Sequence, residues 1–229
     1  MTMRTAFLAG AGAVAAGMLA ATTVAAAVPL YPPSKSTIST SHPTFRWQLA
    51  PTEVAESVSV STSPAIGLSG DFAKLTIVGI LHGDKHSWTS TQPLFAGKYW
   101  WHLAFQAGVH GVAGGRLFFS PATPFTVKAV ITLSSLGLHE AGNGVFAALT
   151  FKANVRTVNV SEKLFAGSKL IASRRSATDN ILIDNPTRDQ ALLIVPSTVK
   201  HGAPLKLVVA LSIAGSTTTL TKTTTFRAA

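Results

Sequence analysis

A chain of 229 residues with 47% hydrophobic and only 12% charged residues is too apolar to be a disordered polymer, and it is long enough for one large domain or two small ones. It has no cysteine, which excludes disulfides, thiolate metal sites and cysteine nucleophiles. The net charge of +10 favours contact with polyanions over cationic partners.

In chain order, the first element is a targeting segment. Arg4 precedes an uncharged run from Ala6 to Ala21, and Ala25-Ala26-Ala27 offers small residues at a cleavage site. This predicts a signal peptide over 1–27, cut after Ala27. The run is rich in Ala and Gly, weaker than the ~20 strongly apolar residues of a membrane span, and no later stretch is apolar enough to span. An exported chain without disulfides and with an Ala-rich leader is read as bacterial, secreted or held at the cell surface. Loss of Arg4 leaves 18 basic and 9 acidic residues, a net +9; from Ala129 onward there are 11 basic and 5 acidic, a net +6.

Val28-Pro29-Leu30-Tyr31-Pro32-Pro33 reads as an extended lead-in fixed by its prolines. Period-two alternation then marks strands with one buried face. Phe45, Trp47 and Leu49 form one such series, Val58, Val60 and Thr62 a second, and Tyr99, Trp101, Leu103 and Phe105 the longest. The segments Leu75–Leu81 and Ser87–Thr91 flank His82-Gly83-Asp84-Lys85-His86, which reads as a hairpin turn. The segments Arg116–Ser120 and Phe125–Val127 form the last strand, bent at Pro121. That makes about seven strands in residues 28–128, the pattern of a β-sandwich.

All four tryptophans precede residue 102, so composition changes along the chain, and a boundary is placed near Lys128–Ala129. Residues 129–229 carry seven further strand candidates: Val130–Leu133, Val145–Ala153, Thr157–Leu164, Lys169–Arg174, Ala191–Val195, Leu205–Leu211 and Thr217–Phe226. Turns fall at Gly142-Asn143-Gly144, Ala166-Gly167-Ser168, Asn185-Pro186 and His201-Gly202. The fold class expected is all-β, two tandem sandwiches after the leader.

Three stretches of the first half carry a family resemblance. Pro43-Thr44-Phe45-Arg46-Trp47 looks like the second strand of a bacterial fibronectin type III domain, and Val58-Ser59-Val60-Ser61-Thr62 like its third. Leu94-Phe95-Ala96-Gly97-Lys98-Tyr99-Trp100-Trp101 resembles the turn and tyrosine corner before the sixth strand. The resemblance covers residues 32–128 and departs at Ala96, where the family often has proline. It implies that Trp47 and Trp101 are core, that Tyr99 is the corner residue, and that the module is an extracellular spacer or binding unit. Residues 129–229 resemble immunoglobulin-like modules in strand count and turn spacing alone.

Chemistry-bearing groups are sparse. His82, Asp84 and His86 could meet at a hairpin tip as metal ligands, but Lys85 sits among them and no other ligand is near in sequence to complete a shell. Ser197-Thr198-Val199-Lys200 matches a Ser-x-x-Lys nucleophile signature, yet lies among Pro196, Gly202 and Pro204 and not at a helix start. Asp179, Asp184 and Asp189 fall among turn-forming residues and read as turn formers. If Tyr99, Trp101 and Leu103 face inward, Trp100 and His102 face outward, and with Arg46 they are the ligand-binding candidates. An exposed indole beside a cation can stack on a sugar ring.

The function read from these residues is an exported non-catalytic module that presents sandwich surfaces to cell-wall glycan or another envelope protein. It calls for no cofactor and no nucleic-acid partner. The alternatives are a polyanion-binding protein that uses the basic second half, and a secreted hydrolase of envelope polymer working through Asp184 or Asp189.

Overall fold

The alternating stretches form strands, and each strand turns its apolar side chains to one of two cores. The computed structural model describes residues 27–81, 85–107, 116–217 and 219–227, and every element among them is a strand, bridge, turn or loop. The first sandwich is built from β1 (Val28–Tyr31), β2 (Ser36–Ile38), β3 (Thr44–Gln48), β4 (Glu53–Ser61), β5 (Ile77–Ile80), β6 (Ser87–Thr89), β7 (Gly97–Ala107), β8 (Leu117–Phe119) and β9 (Thr123–Val127). One sheet runs β1-β3-β6; the other runs β2-β9-β7-β4-β5, with β8 also paired to β7. Phe45 and Trp47 from the small sheet meet Trp101, Leu103, Phe105 and Phe125 from the large one, all buried. Phe45 lies 5.1 Å from the Trp101 ring and 5.8 Å from the Phe125 ring, which joins the two sheets through aromatic packing.

The corner expected at Tyr99 is present: its hydroxyl donates to the Phe95 carbonyl at 2.9 Å. Burial pushes the Tyr99 hydroxyl above its usual pKa, with the Arg156 charge opposing. Trp47 and Trp101 are core, at 2% and 0% exposure.

Two expectations for this half need correction, and a third is refined. The proline-rich lead-in is extended as expected, and its first four residues form a paired strand. β1 pairs with β3 despite Pro29, because it is an edge strand and has no outer neighbour to satisfy. A cis Tyr31–Pro32 bond follows, and β2 then runs parallel to β9 in the other sheet. The segments flanking residues 82–86 do not form a hairpin: β5 pairs with β4 and β6 with β3, so the chain crosses between sheets there. Finally, β4 is not one-faced. A bulge between Ala55 and Ser57 shifts its register, and Ser59 and Ser61 are buried as well as Val58 and Val60. The cause is the segment 62–76, which lies over the outer face of β4 and β7.

Gly79 allows a close approach inside this core. A Cβ there would stand 2.3 Å from the Trp88 indole, which stacks on Phe45 at 5.7 Å.

The second sandwich has the seven strands expected: β10 (Ile131–Ala141), β11 (Gly144–Ala153), β12 (Val158–Ala166), β13 (Lys169–Thr178), β14 (Thr187–Ile194), β15 (Pro204–Ser212) and β16 (Thr219–Arg227). Its sheets run β10-β11-β14 and β13-β12-β15-β16. Two-residue turns close the β10–β11 and β12–β13 hairpins, with Gly142 at φ 56° and Gly167 at φ 60°, backbone that favours glycine. Leu149, Phe151, Leu164, Leu205 and Leu207 fill the core.

One inward position of β12 is charged. Glu162 is fully buried, and Arg174 Nη1 donates to its Oε2 at 3.2 Å and to Asp189 Oδ2 at 3.2 Å. Burial pushes the Glu162 carboxyl above its ordinary pKa, and Arg174 opposes the shift. Asp189 is therefore a strand residue in an inter-sheet ion pair, not a turn former. Asp179 keeps the turn role, accepting from Thr157 Oγ1 at 2.6 Å.

The sandwiches meet through Asn154. Its Nδ2 donates to the Lys128 carbonyl and its Oδ1 accepts from Val130 N, both at 2.8 Å, while its backbone carbonyl accepts from Ala96 N at 2.7 Å. On another side of the junction Asp184, at φ 68°, accepts from Ser41 Oγ at 3.2 Å and pairs with His42 Nε2 at 2.7 Å.

Candidate functional site

The outer face of β7 is graded along its length. His102, Trp100 and Lys98 share that face, because the strand period sets them opposite Tyr99, Trp101 and Leu103. Cover from segment 62–76 thins from one end to the other: His102 is 1% exposed, Trp100 is half-buried and Lys98 is exposed.

His102 occupies the face expected of it, but the surface there is closed. Its Nε2 lies 2.8 Å from Asp71 Oδ1, Phe72 stacks on the imidazole at 4.2 Å, and Phe119 tilts against it at 5.0 Å. Asp71 also accepts from Ser59 Oγ at 3.0 Å and from Phe72 N at 2.7 Å. Burial holds the His102 pKa below the ordinary histidine value, with Asp71 opposing. This histidine pins a loop to the sheet and offers nothing to a ligand from outside. Ser59, Asp71 and His102 do not form a nucleophile relay either, since the serine donates to the aspartate and all three sit beneath the loop.

Trp100 keeps the exposure that stacking needs. Its strand neighbours are Ser61 on β4 and Pro124 on β9, and Lys98 Nζ sits 5.3 Å from the ring centroid. A cation over an indole face is attracted by the ring quadrupole. The outcome is an aromatic surface with one charged group already placed on it.

Arg46 does not join this surface. It is exposed on β3 between inward-facing Phe45 and Trp47, on the outside of the small sheet. Trp100 lies on the outside of the large sheet, and the packed core, ~10 Å thick in such sandwiches, separates the two. Arg46 and Trp100 cannot touch one small ligand.

Of the metal candidates, His82 and Asp84 lie outside the described residues, and His86 is exposed, its backbone carbonyl accepting from Trp47 N at 3.1 Å. Among the described residues no group of three or more His, Asp or Glu is placed to hold a metal. Ser197 to Lys200 is a turn, with Val199 N donating to the Pro196 carbonyl at 2.9 Å. It gives no helical turn to bring the lysine back to the serine.

Arg156 and Lys98 were not singled out in the sequence reading. Arg156, between β11 and β12, crosses the junction and places its guanidinium 4.5 Å from the Phe95 ring of the first sandwich. Nothing local in residues 154–157 signals a contact with a residue some sixty positions earlier. Lys98 was legible, since it precedes Trp100 by one strand period.

No family model matches the chain, and no curated protein matches it. Among solved structures it is similar to the fibronectin(III)-like modules of CbhA from Clostridium thermocellum, at 14% identity and TM-score 0.30, covering 88% of this chain and 93% of that one. It is similar to DUF3823 family proteins from Bacteroides ovatus (13% identity, TM-score 0.30, 88% and 97% covered) and Bacteroides uniformis (8%, 0.29, 88% and 98%). Likeness at this level carries nothing about ligand or activity. Among the described residues no helix is long and apolar enough to cross a membrane.

Proposed function

We propose that the chain is an exported, non-catalytic binding module of a bacterial cell envelope, with a leader over 1–27 and two sandwich domains over 28–128 and 129–229. Its ligand surface is the outer face of β7, and its ligand is cell-wall glycan. The observation that carries this reading is the half-buried Trp100 with Lys98 held 5.3 Å from its ring. A flat apolar ring suits the axial C–H face of a sugar, and the adjacent ammonium suits hydroxyl or acidic substituents.

Two further observations favour binding over hydrolysis. Asp184 and Asp189, the acids on which a hydrolase would rely, are both committed, one to His42 and one to Arg174. Arg174 is in turn paired with Glu162 and Asp189 and is not free to meet a polyanion, which weakens the polyanion alternative.

The test is incubation of the secreted protein with purified cell-wall material, reading both the bound fraction and soluble sugar released. Saturable binding without release, lost in Trp100→Ala, supports the reading. Release of fragments over time, or equal binding by the variant, contradicts it.

A further inference from the structure

Beside Lys98 lies a cleft of about 400 Å³ lined by the first sandwich and by one residue of the second. Such a volume is within the ~300–1,000 Å³ usual for small-ligand sites. Its walls include Phe95, Lys98 and Tyr99 from the first sandwich, Thr62 and Thr76 at the two ends of the covering segment, and Arg156 from the second.

The charge on these walls is one-sided. Lys98 and Arg156 are the charged residues among them, and both are cationic. Among the described residues neither is ion-paired; each instead sits over an aromatic ring, Lys98 over Trp100 and Arg156 over Phe95. Two like charges facing one cleft repel each other, and an anion between them relieves that repulsion. Contact with Phe95 restrains the Arg156 guanidinium, a group whose N–H edge takes a planar carboxylate through two parallel hydrogen bonds.

We propose that this junction cleft is a subsite for the carboxylate of an acidic sugar, next to a ring stacked on Trp100. The inference rests on the glycan-binding reading and narrows it to uronic-acid-type or similarly carboxylated saccharides. It also gives the second sandwich a role, since Arg156 completes the site.

The test uses the full secreted chain and calorimetric titration with a glucuronic-acid-containing oligosaccharide, the same oligosaccharide with its carboxyl reduced to an alcohol, and inorganic phosphate. The acidic form is expected to bind at least about tenfold more tightly than the reduced form, the scale of one charge-assisted contact. Lys98→Gln and Arg156→Gln should each close most of that gap by weakening the acidic form more than the reduced form. Because Arg156→Gln also removes a contact across the junction, Lys98→Gln, which leaves that contact intact, is the decisive variant. Equal affinity for the two oligosaccharides, or a gap that survives Lys98→Gln, overturns the subsite while leaving stacking at Trp100 standing. Phosphate binding as tightly as the acidic sugar overturns it in favour of a free-anion site. Failure to bind either oligosaccharide, with Trp100→Ala indistinguishable from the parent, overturns the glycan reading itself.

Discussion

Asn154→Ala should loosen the second sandwich where it meets the first. The side chain is 6% exposed and satisfies two backbone groups at once, the Lys128 carbonyl and the Val130 N–H, each at 2.8 Å. Alanine leaves both without a protein partner, at about 1–3 kcal/mol for each group that stays dry. Lys128 is exposed and Val130 half-buried, so water can reach part of the gap, and the lower end applies: roughly 2 kcal/mol in all. With a urea m-value of ~1–3 kcal/mol/M, that moves a midpoint down by roughly 1 M. Urea titration of the whole chain can resolve where the loss falls. All four tryptophans lie in the first half, so indole emission follows the first sandwich and far-ultraviolet dichroism follows both. The dichroism midpoint is expected to fall while the emission midpoint moves little. Asn154→Asp keeps the acceptor for Val130 but turns an oxygen toward the Lys128 carbonyl, so it too should be less stable than the parent. A shift of less than a few tenths of a molar for the alanine variant, or an aspartate variant as stable as the parent, would refute the two-bond clamp.

Gly79→Ala should destabilise the first sandwich by about 1–3 kcal/mol, as overpacking does, because the new methyl meets the Trp88 ring at 2.3 Å; the check is thermal unfolding with near-ultraviolet dichroism, and an unchanged midpoint argues against the close approach. Glu162 carries a raised pKa through burial, so between 4.5 and that raised value the folded state holds a proton that the unfolded chain has released. Stability should therefore decline as pH rises through this window. Glu162→Gln is expected to flatten that decline in melting temperature against pH, and an unaltered profile would show that Glu162 does not cause it. His42 has a raised pKa, first from its contact with the Ser90 carbonyl at 3.0 Å and then from Asp184. Its contribution is complete below 6.5 and lost as pH rises through the raised value. Asp184→Asn should lower the His42 pKa without abolishing the shift, as followed by proton resonance titration; no movement would show that the junction pair does not form in solution.

The core was the legible part of this molecule. Phe45, Trp47, Trp101 and Phe105 announce themselves by alternation, and the Leu94–Trp101 stretch announces the corner, because burial on one face of a strand leaves a period-two mark. What covers the other face leaves no such mark. Residues 63–74 show neither strand nor helix period, and nothing in their pattern says that Asp71 and Phe72 fold down on His102. The small serines at 57, 59 and 61 were the available hint, since they let a loop approach the sheet. Pro29 hid the pairing of β1, since edge position removes the usual penalty against proline in a strand. Glu162 and Asp189 were obscured for a related reason: a carboxylate on an inward position is told apart from a surface one only when its cation is in view, and Arg174 is twelve residues from Glu162 and fifteen from Asp189. The junction contacts of Asn154, Arg156 and His42 depend on how two modules abut, which neither module encodes alone.

The ligand surface can be watched directly through its indoles. With four tryptophans in the chain, an amide–indole correlation spectrum assigns the Trp100 resonance by its absence from Trp100→Ala. Addition of soluble cell-wall glycan should shift that signal in a saturable way and leave Trp47 and Trp101, sealed in the core, unmoved. Binding that perturbs none of the Trp100 resonance would contradict the claim that this face receives the ligand.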